Sequence, residues 1–420
     1  MAEDALRAAN LAFAAAHPGE SAARQPVHTV YGGAQLFAAD TAVKIAALAR
    51  TALDAHGRDP ATLGAALGWT PGDPLAARVH AKVAERLAGA SVEDFRIDFE
   101  DGYGNRPDAV EDGHAVSVAG AVAEGMKRGT LPPVIGIRVK PLNEELRARS
   151  LRTLELFVTA LVERAGRLPD GFVLTLPKIT VVEQVAHFAA TLGRLERQIG
   201  LADGLLRFEL MLETPQIIIA ADGHCLLPAL VAAGEGRVSA AHFGTYDYTA
   251  YLGITAAEQR MRHPACDFAK QVMQVALAGT GIQLSDGSTA VLPVGDRASV
   301  HRAWKLHYDD VMHSLRGGFY QGWDLHPAQL VTRYAAVYAF FLAGAEAAAA
   351  RLRNFIEKAA QATLVGSDFD DAATGQGLLN YFLRGIGCSA VTEEEVERAT
   401  GLTHAELATR SFVNIMRGRS

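Results

Sequence analysis

Seven short apolar runs in the first 330 residues end in, or run directly into, an ionisable residue. Asp98, Glu100 and Asp101 close RIDFED, Arg138 closes PVIGIR, and Lys178 closes GFVLTLPK. Glu213 closes FELMLE, Asp247 follows VSAAHFGTY, Asp286 follows GIQLS, and His326 follows GFYQGWDL. Carboxylates gathered with a guanidinium and an ammonium can do electrostatic chemistry, stabilising charge that develops on a substrate oxygen or holding a hard cation. Each residue also has a plainer role open to it. Glu213 precedes Thr-Pro and could favour a helix N-terminus, and Asp247 could be an N-cap. Arg138 could be a structural ion pair with Glu100 or Asp101, and Lys178 and Asp286 could be solvated loop charges. His28, at the start of its run, reads as structural, and His242, His263, His301 and His313 lack a partner at metal-ligand spacing.

The runs themselves read as strands, because they are β-branched or aromatic and are bounded by Gly, Pro or charge. With HTVYGGAQL from His28 there are eight, separated by helical stretches. From the second to the eighth they recur roughly every 37 residues, the length of a strand, a helix and two loops. The first interval is about 67 residues and calls for a helical insertion. PVIGIRV and GFVLTLPK are apolar on both faces, which predicts parallel strands covered on each side. No strand opens into a GxGxxG turn, so a closed (β/α)8 TIM barrel is favoured over a doubly wound sheet, and the strand ends converge on one mouth. Beyond Leu330 the pattern reads as wholly helical. The expected organisation is a barrel domain over residues 1–330, with an N-terminal helical extension, and a C-terminal helical domain over 331–420.

Composition narrows the partners. A hydrophobic share of 49% against 21% charged residues suits a folded chain with a large core. A net charge of −7 argues against binding a nucleic-acid duplex. The three cysteines show no CxxC spacing, which speaks against a thiolate zinc site and a disulfide framework. The first residues lack the order of a secretory signal, and no charge-free run reaches the roughly 20 residues of a membrane span. A cytoplasmic, soluble protein is the expectation.

Taken in order, these motifs resemble the citrate lyase β-subunit family of the HpcH/HpaI aldolase superfamily, over about residues 28 to 375. RIDFEDGYG is similar to that family's acidic strand ending, IRVKPLN to its Arg-bearing strand and LTLPKI to its Pro-Lys strand. LMLETP is similar to its metal-binding Glu strand, HFGTYDYTAYLGI to its Gly-x-x-Asp strand, and GWDLHPAQL to its closing His-Pro-x-Gln motif. The first strand departs from the family: VYGGAQLF stands where a Pro-Gly or Pro-Ala turn helps seat a coenzyme A thioester, so use of that thioester stays open.

The resemblance implies a metal-dependent lyase or aldolase working through an enolate, with Glu213 and Asp247 as ligands of Mg2+ or Mn2+. Arg138 would neutralise the enolate oxygen or a substrate carboxylate, with Glu100 and Asp101 orienting it or metal-bound water. Lys178, Thr214 and His326 are further candidate substrate contacts. A Schiff-base Lys178, a Claisen condensing enzyme of the malate synthase kind and a non-catalytic barrel subunit are the other readings. In the resembled family a Gly-x-x-x-Asp turn in the tail reaches over a neighbouring subunit's barrel; here that turn starts at Gly366 and its acid is Asp370. A homo-oligomer with Asp370 as a catalytic residue acting in trans is therefore expected.

Overall fold

The computed structural model describes residues 2–21, 23–358, 363–365, 368–370, 372–411, 414–415 and 418. Helix α1 (Ala2–Ala16) precedes β1 (His28–Gly33), and three helices, α2 (Thr41–His56), α3 (Pro60–Leu67) and α4 (Pro74–Ala88), fill the long first interval. There follow β2 (Asp94–Asp98), α5 (Asp108–Arg128), β3 (Val134–Arg138), α6 (Arg147–Ala165), β4 (Phe172–Leu176), α7 (Val182–Ile199) and β5 (Phe208–Leu212). Next come α8 (Pro215–Ile218), α9 (Leu227–Ala233), β6 (Val238–Phe243), α10 (Thr245–Tyr251), α11 (Pro264–Leu277), β7 (Gln283–Ser285), α12 (Arg297–Arg316) and β8 (Gly322–Asp324). The tail comprises α13 (Gln329–Glu357), β9 (Thr363–Val365), β10 (Asp368–Asp370), α14 (Ala372–Gly387), α15 (Glu393–Thr400) and α16 (His404–Ala408).

Strands β1 to β7 pair in sequence, all parallel, and β8 pairs with β1. The ring closes between β7 and β8, where Asp286 N donates to the Gln321 carbonyl and Trp323 N to the Gly287 carbonyl, both at 2.9 Å. The architecture is a (β/α)8 barrel with helices around it, and the C-terminal helices form an appendage. Outward-facing strand residues such as Phe95, Ile97, Leu174 and Leu210 are buried under the helix layer. Local signals set the helix ends: Asp59, Asp73 and Asp296 accept from backbone N–H groups at the starts of α3, α4 and α12. Gly129, Gly166 and Gly200 take the left-handed conformation that ends α5, α6 and α7.

Two features differ from the sequence reading. The tail holds the two-stranded antiparallel ladder β9–β10, which the helical periodicity around it conceals. Asp286, expected at the mouth, turns outward: it pairs with Lys270 at 2.9 Å and accepts from Ser314 at 2.6 Å, between α11 and α12. The strand β7 is only three residues long, so the parity that decides which way Asp286 points cannot be counted from so short a run. Helix α13 is long and apolar enough to cross a membrane, but residues 329–339 are all buried in this chain, packed against α12 and α4.

Candidate active site

Alternation along the strands puts Asp94, Arg96 and Asp98 of β2 inside the barrel, with Arg138 of β3 level with Asp98. Arg138 is gripped along one edge: Nε and Nη2 donate to the two Asp98 oxygens at 2.7 and 2.6 Å. Asp98 is itself held by the backbone N–H groups of Glu100 and Gly102 at 2.9 and 2.7 Å. A Cβ at Gly102 would lie 2.7 Å from an Asp98 oxygen, so only glycine lets the turn wrap the carboxylate so closely. The Nη1 end of Arg138 lies 3.1 Å from Glu100 and 3.7 Å from Met211 Sδ, and the guanidinium stacks 5.0 Å above the Tyr31 ring.

Lys178 follows β4 in a left-handed conformation, φ 50°, uncommon for a residue with a side chain. That turn aims its backbone N–H at Glu213 Oε1, 2.7 Å away. Its ammonium reaches Glu100 at 2.5 Å, Asp101 at 3.0 Å and Asp247 at 3.3 Å. Burial alone would lower the Lys178 pKa, but Glu213, Glu100 and Asp101 outweigh it and hold the ammonium more firmly protonated than a free lysine. Burial raises Glu100, while Asp101 ends below its ordinary value because Arg138 and Lys178 overcome its burial.

Glu213 is buried just past β5, and Asp247 sits in the first turn of α10, part exposed. Gly244, the residue before α10, is forced: a Cβ there would meet Glu213 Oε2 at 2.4 Å. Burial first, and the nearby Asp247 charge second, push the Glu213 carboxyl up to about 8. A buried carboxylate whose proton affinity is raised by a neighbouring carboxylate could share a cation with it. The donors are hard oxygens, which suit Mg2+ or Mn2+, with water or substrate completing the coordination. Among the described residues no three His, Cys, Asp or Glu side chains gather into a ready-made cage, so the fit is to an ion held by two protein carboxylates.

The structure thus brings Arg138, Glu100, Asp101, Lys178, Glu213 and Asp247 together. Thr214 and His326 are engaged elsewhere. The Thr214 hydroxyl donates to the Ile179 carbonyl, tying the loops after β4 and β5, and His326 Nδ1 accepts from Ala328 N at the start of α13. The backbone of Asp370 lies in β10, and its side chain lies outside the described residues. Sequence reasoning did not single out Asp98 as the anchor of Arg138, nor Tyr31 beneath it. Asp98 had a signal, since it faces the same way as Asp94 and Arg96 on β2, whereas the contact with Tyr31 depends on barrel closure.

The family model that matches residues 6–415 is described as a domain of unknown function (DUF6986). The chain belongs to this family. Over 179 residues it is 29% identical to L-malyl-CoA/beta-methylmalyl-CoA lyase of Haloarcula marismortui, covering 41% of this chain and 47% of that protein. The chain thus spans about half the length of the curated relative it matches. A citrate lyase from Burkholderia xenovorans LB400 superposes with a TM-score of 0.57 at 20% identity, over 76% of this chain and 91% of that one. A malate synthase of Haloferax volcanii, in a magnesium/glyoxylate complex, superposes at 0.52 and 15% identity, over 93% and 99%. These likenesses carry the barrel fold. The curated relative and the first of these structures are lyases by name, in keeping with the citrate lyase and HpcH/HpaI aldolase resemblance of the motifs.

Proposed function

We propose that the DUF6986 chain is a carbon–carbon lyase or aldolase that cleaves a small hydroxy acid, or its thioester, through an enolate. The observation that carries this reading is the pairing of a rigid cation with a charge-hungry carboxylate pair. Arg138 is locked by Asp98, and near it Glu213 is pushed up to about 8 by burial and Asp247. Breaking a bond beside a carbonyl leaves negative charge on oxygen that is absent from the ground state, and preorganised positive charge stabilises it. A divalent ion on Glu213 and Asp247 would supply Lewis acidity to the substrate's carbonyl and carboxylate oxygens. Because Asp98 takes the Nε–Nη2 edge, a substrate oxygen would meet Arg138 at its Nη1 end, in competition with Glu100. Lys178 adds a second positive charge.

A Schiff-base mechanism needs a neutral amine, and the acidic surroundings of Lys178 drive it the other way. The expected result of borohydride treatment with substrate is therefore no trapped adduct on Lys178. The condensing direction is a second reading, favoured by one observation: the malate synthase superposition runs over 93% of the chain, so it takes in much of the appendage. Incubation with Mg2+ and a panel of hydroxy acids, free and as coenzyme A thioesters, tests both. Release of a 2-oxo acid that stops with EDTA supports the lyase. No turnover of any compound by metal-loaded protein, in either direction, would sink the proposal.

We further propose subunit association with Asp370 acting in trans. Residues 3–16 of α1 are all exposed, Leu6, Leu11 and Phe13 included, and an exposed 15-residue helix is marginal in water. Mixing inactive Arg138→Ala with inactive Asp370→Ala subunits should restore part of the activity. Confirmed subunit exchange without recovery would remove that role.

A further inference from the structure

The end of the barrel away from Glu213 carries a cavity of about 580 Å3. Its walls include Glu20, Arg24 and Gln25 before β1, Tyr320 before β8, Arg384 of α14 and Arg410 beyond α16. Arg384 and Arg410 converge on one carboxylate oxygen: Arg384 Nη2 lies 3.1 Å and Arg410 Nη1 2.7 Å from Glu20 Oε2. Arg384 also stacks over the Tyr320 ring at 4.0 Å, and apolar side chains such as Leu284 and Phe341 complete the wall. The guanidinium is positioned in advance. Arg384 Nη1 donates to Gln25 Oε1 at 3.3 Å, and Gln25 is fixed by the Leu284 carbonyl and by Gln321, at 2.9 and 3.0 Å.

Two guanidiniums offer many more N–H donors than one carboxylate oxygen can accept. Glu20 is 41% exposed and stands on the irregular segment between α1 and β1, so water competes with the two guanidiniums for its carboxylate. We propose that this cavity binds a small organic anion, a carboxylate or phosphate ester with an apolar body, and that Glu20 keeps the anion's place in the free protein. The volume is in the range of small-ligand pockets, an anionic head would take the paired Arg384 and Arg410, and the body would lie along Tyr320 and Phe341. The inference stands apart from the reaction proposed at the other end of the barrel.

Calorimetric titration of the full chain with hexanoate and with hexyl phosphate tests it, and the better probe distinguishes a carboxylate from a phosphate head. Glu20→Gln removes the internal competitor while keeping shape, and should tighten binding by about fivefold or more. Arg384→Ala and Arg410→Ala should each weaken it by about tenfold. Arg138→Ala, at the opposite mouth, should leave it unchanged. If Arg384→Ala fails to fold, Arg384→Lys keeps the charge but not the fork, and several-fold weaker binding is expected. The proposal falls if neither probe binds the Glu20→Gln protein, if Glu20→Gln does not tighten binding, or if Arg138→Ala abolishes it. Full affinity in both Arg384→Lys and Arg410→Ala would also overturn it.

Discussion

Arg96 and Arg138 stand on neighbouring strands, both pointing into the barrel, both buried and both clamped by carboxylates, yet their surroundings differ in kind. Arg96 donates to Asp94 at 2.9 Å, to Glu209 at 3.0 Å and to the Val173 carbonyl at 3.4 Å. Thr29 and Thr175 bind the same two carboxylates, and His242 lies 3.1 Å from Glu209. Burial would raise Glu209, but Arg96 and His242 prevail and bring it down to about 2, whereas burial pushes Asp94 up to about 6. This interior cluster is closed, with acids and bases nearly matched. Around Arg138 and Lys178 stand Asp98, Glu100, Asp101, Glu213 and Asp247, an excess of acid, and Glu213 is the acid pushed furthest up. The lesson is that a buried charge whose neighbours satisfy it serves the fold, while unmatched acid at an open end leaves room for the cation and substrate proposed above.

The comparison is most exposed at Glu213 and Asp247. Replacing either by Ala should abolish Mg2+ binding and turnover while the circular dichroism spectrum persists, since both lie beyond the barrel strands. A variant that keeps its metal affinity by calorimetry does not lose a ligand. Arg96→Ala should do the reverse, stranding Asp94 and Glu209 without their cation at a cost of about 3–5 kcal/mol in a urea titration. A loss below about 1 kcal/mol would mean that the interior cluster is not what holds the barrel. For Arg138→Lys, turnover should fall by about 100-fold with a smaller change in substrate affinity, because an ammonium cannot reproduce the forked contact with Asp98. Equal losses in both would reduce Arg138 to a binding role.

Acidity gives a finer test. Glu213 has a folded pKa of about 8 and an ordinary value of 4.5, so it favours folding fully below 4.5 and loses that contribution as pH rises through 8. Metal-free protein should therefore lose stability across this window, and Glu213→Gln should flatten the loss. Metal must displace the same proton, so its affinity should climb by up to about tenfold per pH unit toward 8 and level off above. A metal affinity independent of pH between 6 and 8 contradicts this. The smallest effect belongs to His326, whose ring accepts from Ala328 N at 3.2 Å, so His326→Ala should cost about 1 kcal/mol or less in thermal unfolding.

Much of this was legible beforehand. All eight barrel strands coincide with apolar runs read from the chain, and the long first interval does hold α2, α3 and α4. Strand-end position alone was enough to bring Arg138, Glu100, Asp101, Lys178, Glu213 and Asp247 to one place, because parallel strands in a barrel deliver their C-terminal ends to one face. Asp286 shows the limit of that rule. A residue after a strand is at the right height, but the side-chain direction depends on the exact register, and β7 carries Asp286 to Lys270 and Ser314 instead.

What the sequence determined by itself, then, was periodicity: eight buried strands, their parallel order, and the level at which each ionisable group would sit. Only the tertiary structure decided the pairings. That Asp98 rather than Glu100 takes the forked edge of Arg138, that Lys178 turns left-handed to reach Glu213, and that Glu20 meets Arg384 and Arg410 across the chain all depend on distances between residues far apart in sequence. Local patterns follow from bonds and sterics within a few residues. Charge pairing and the shift of Glu213 to about 8 arise from what closure of the barrel excludes, which is water.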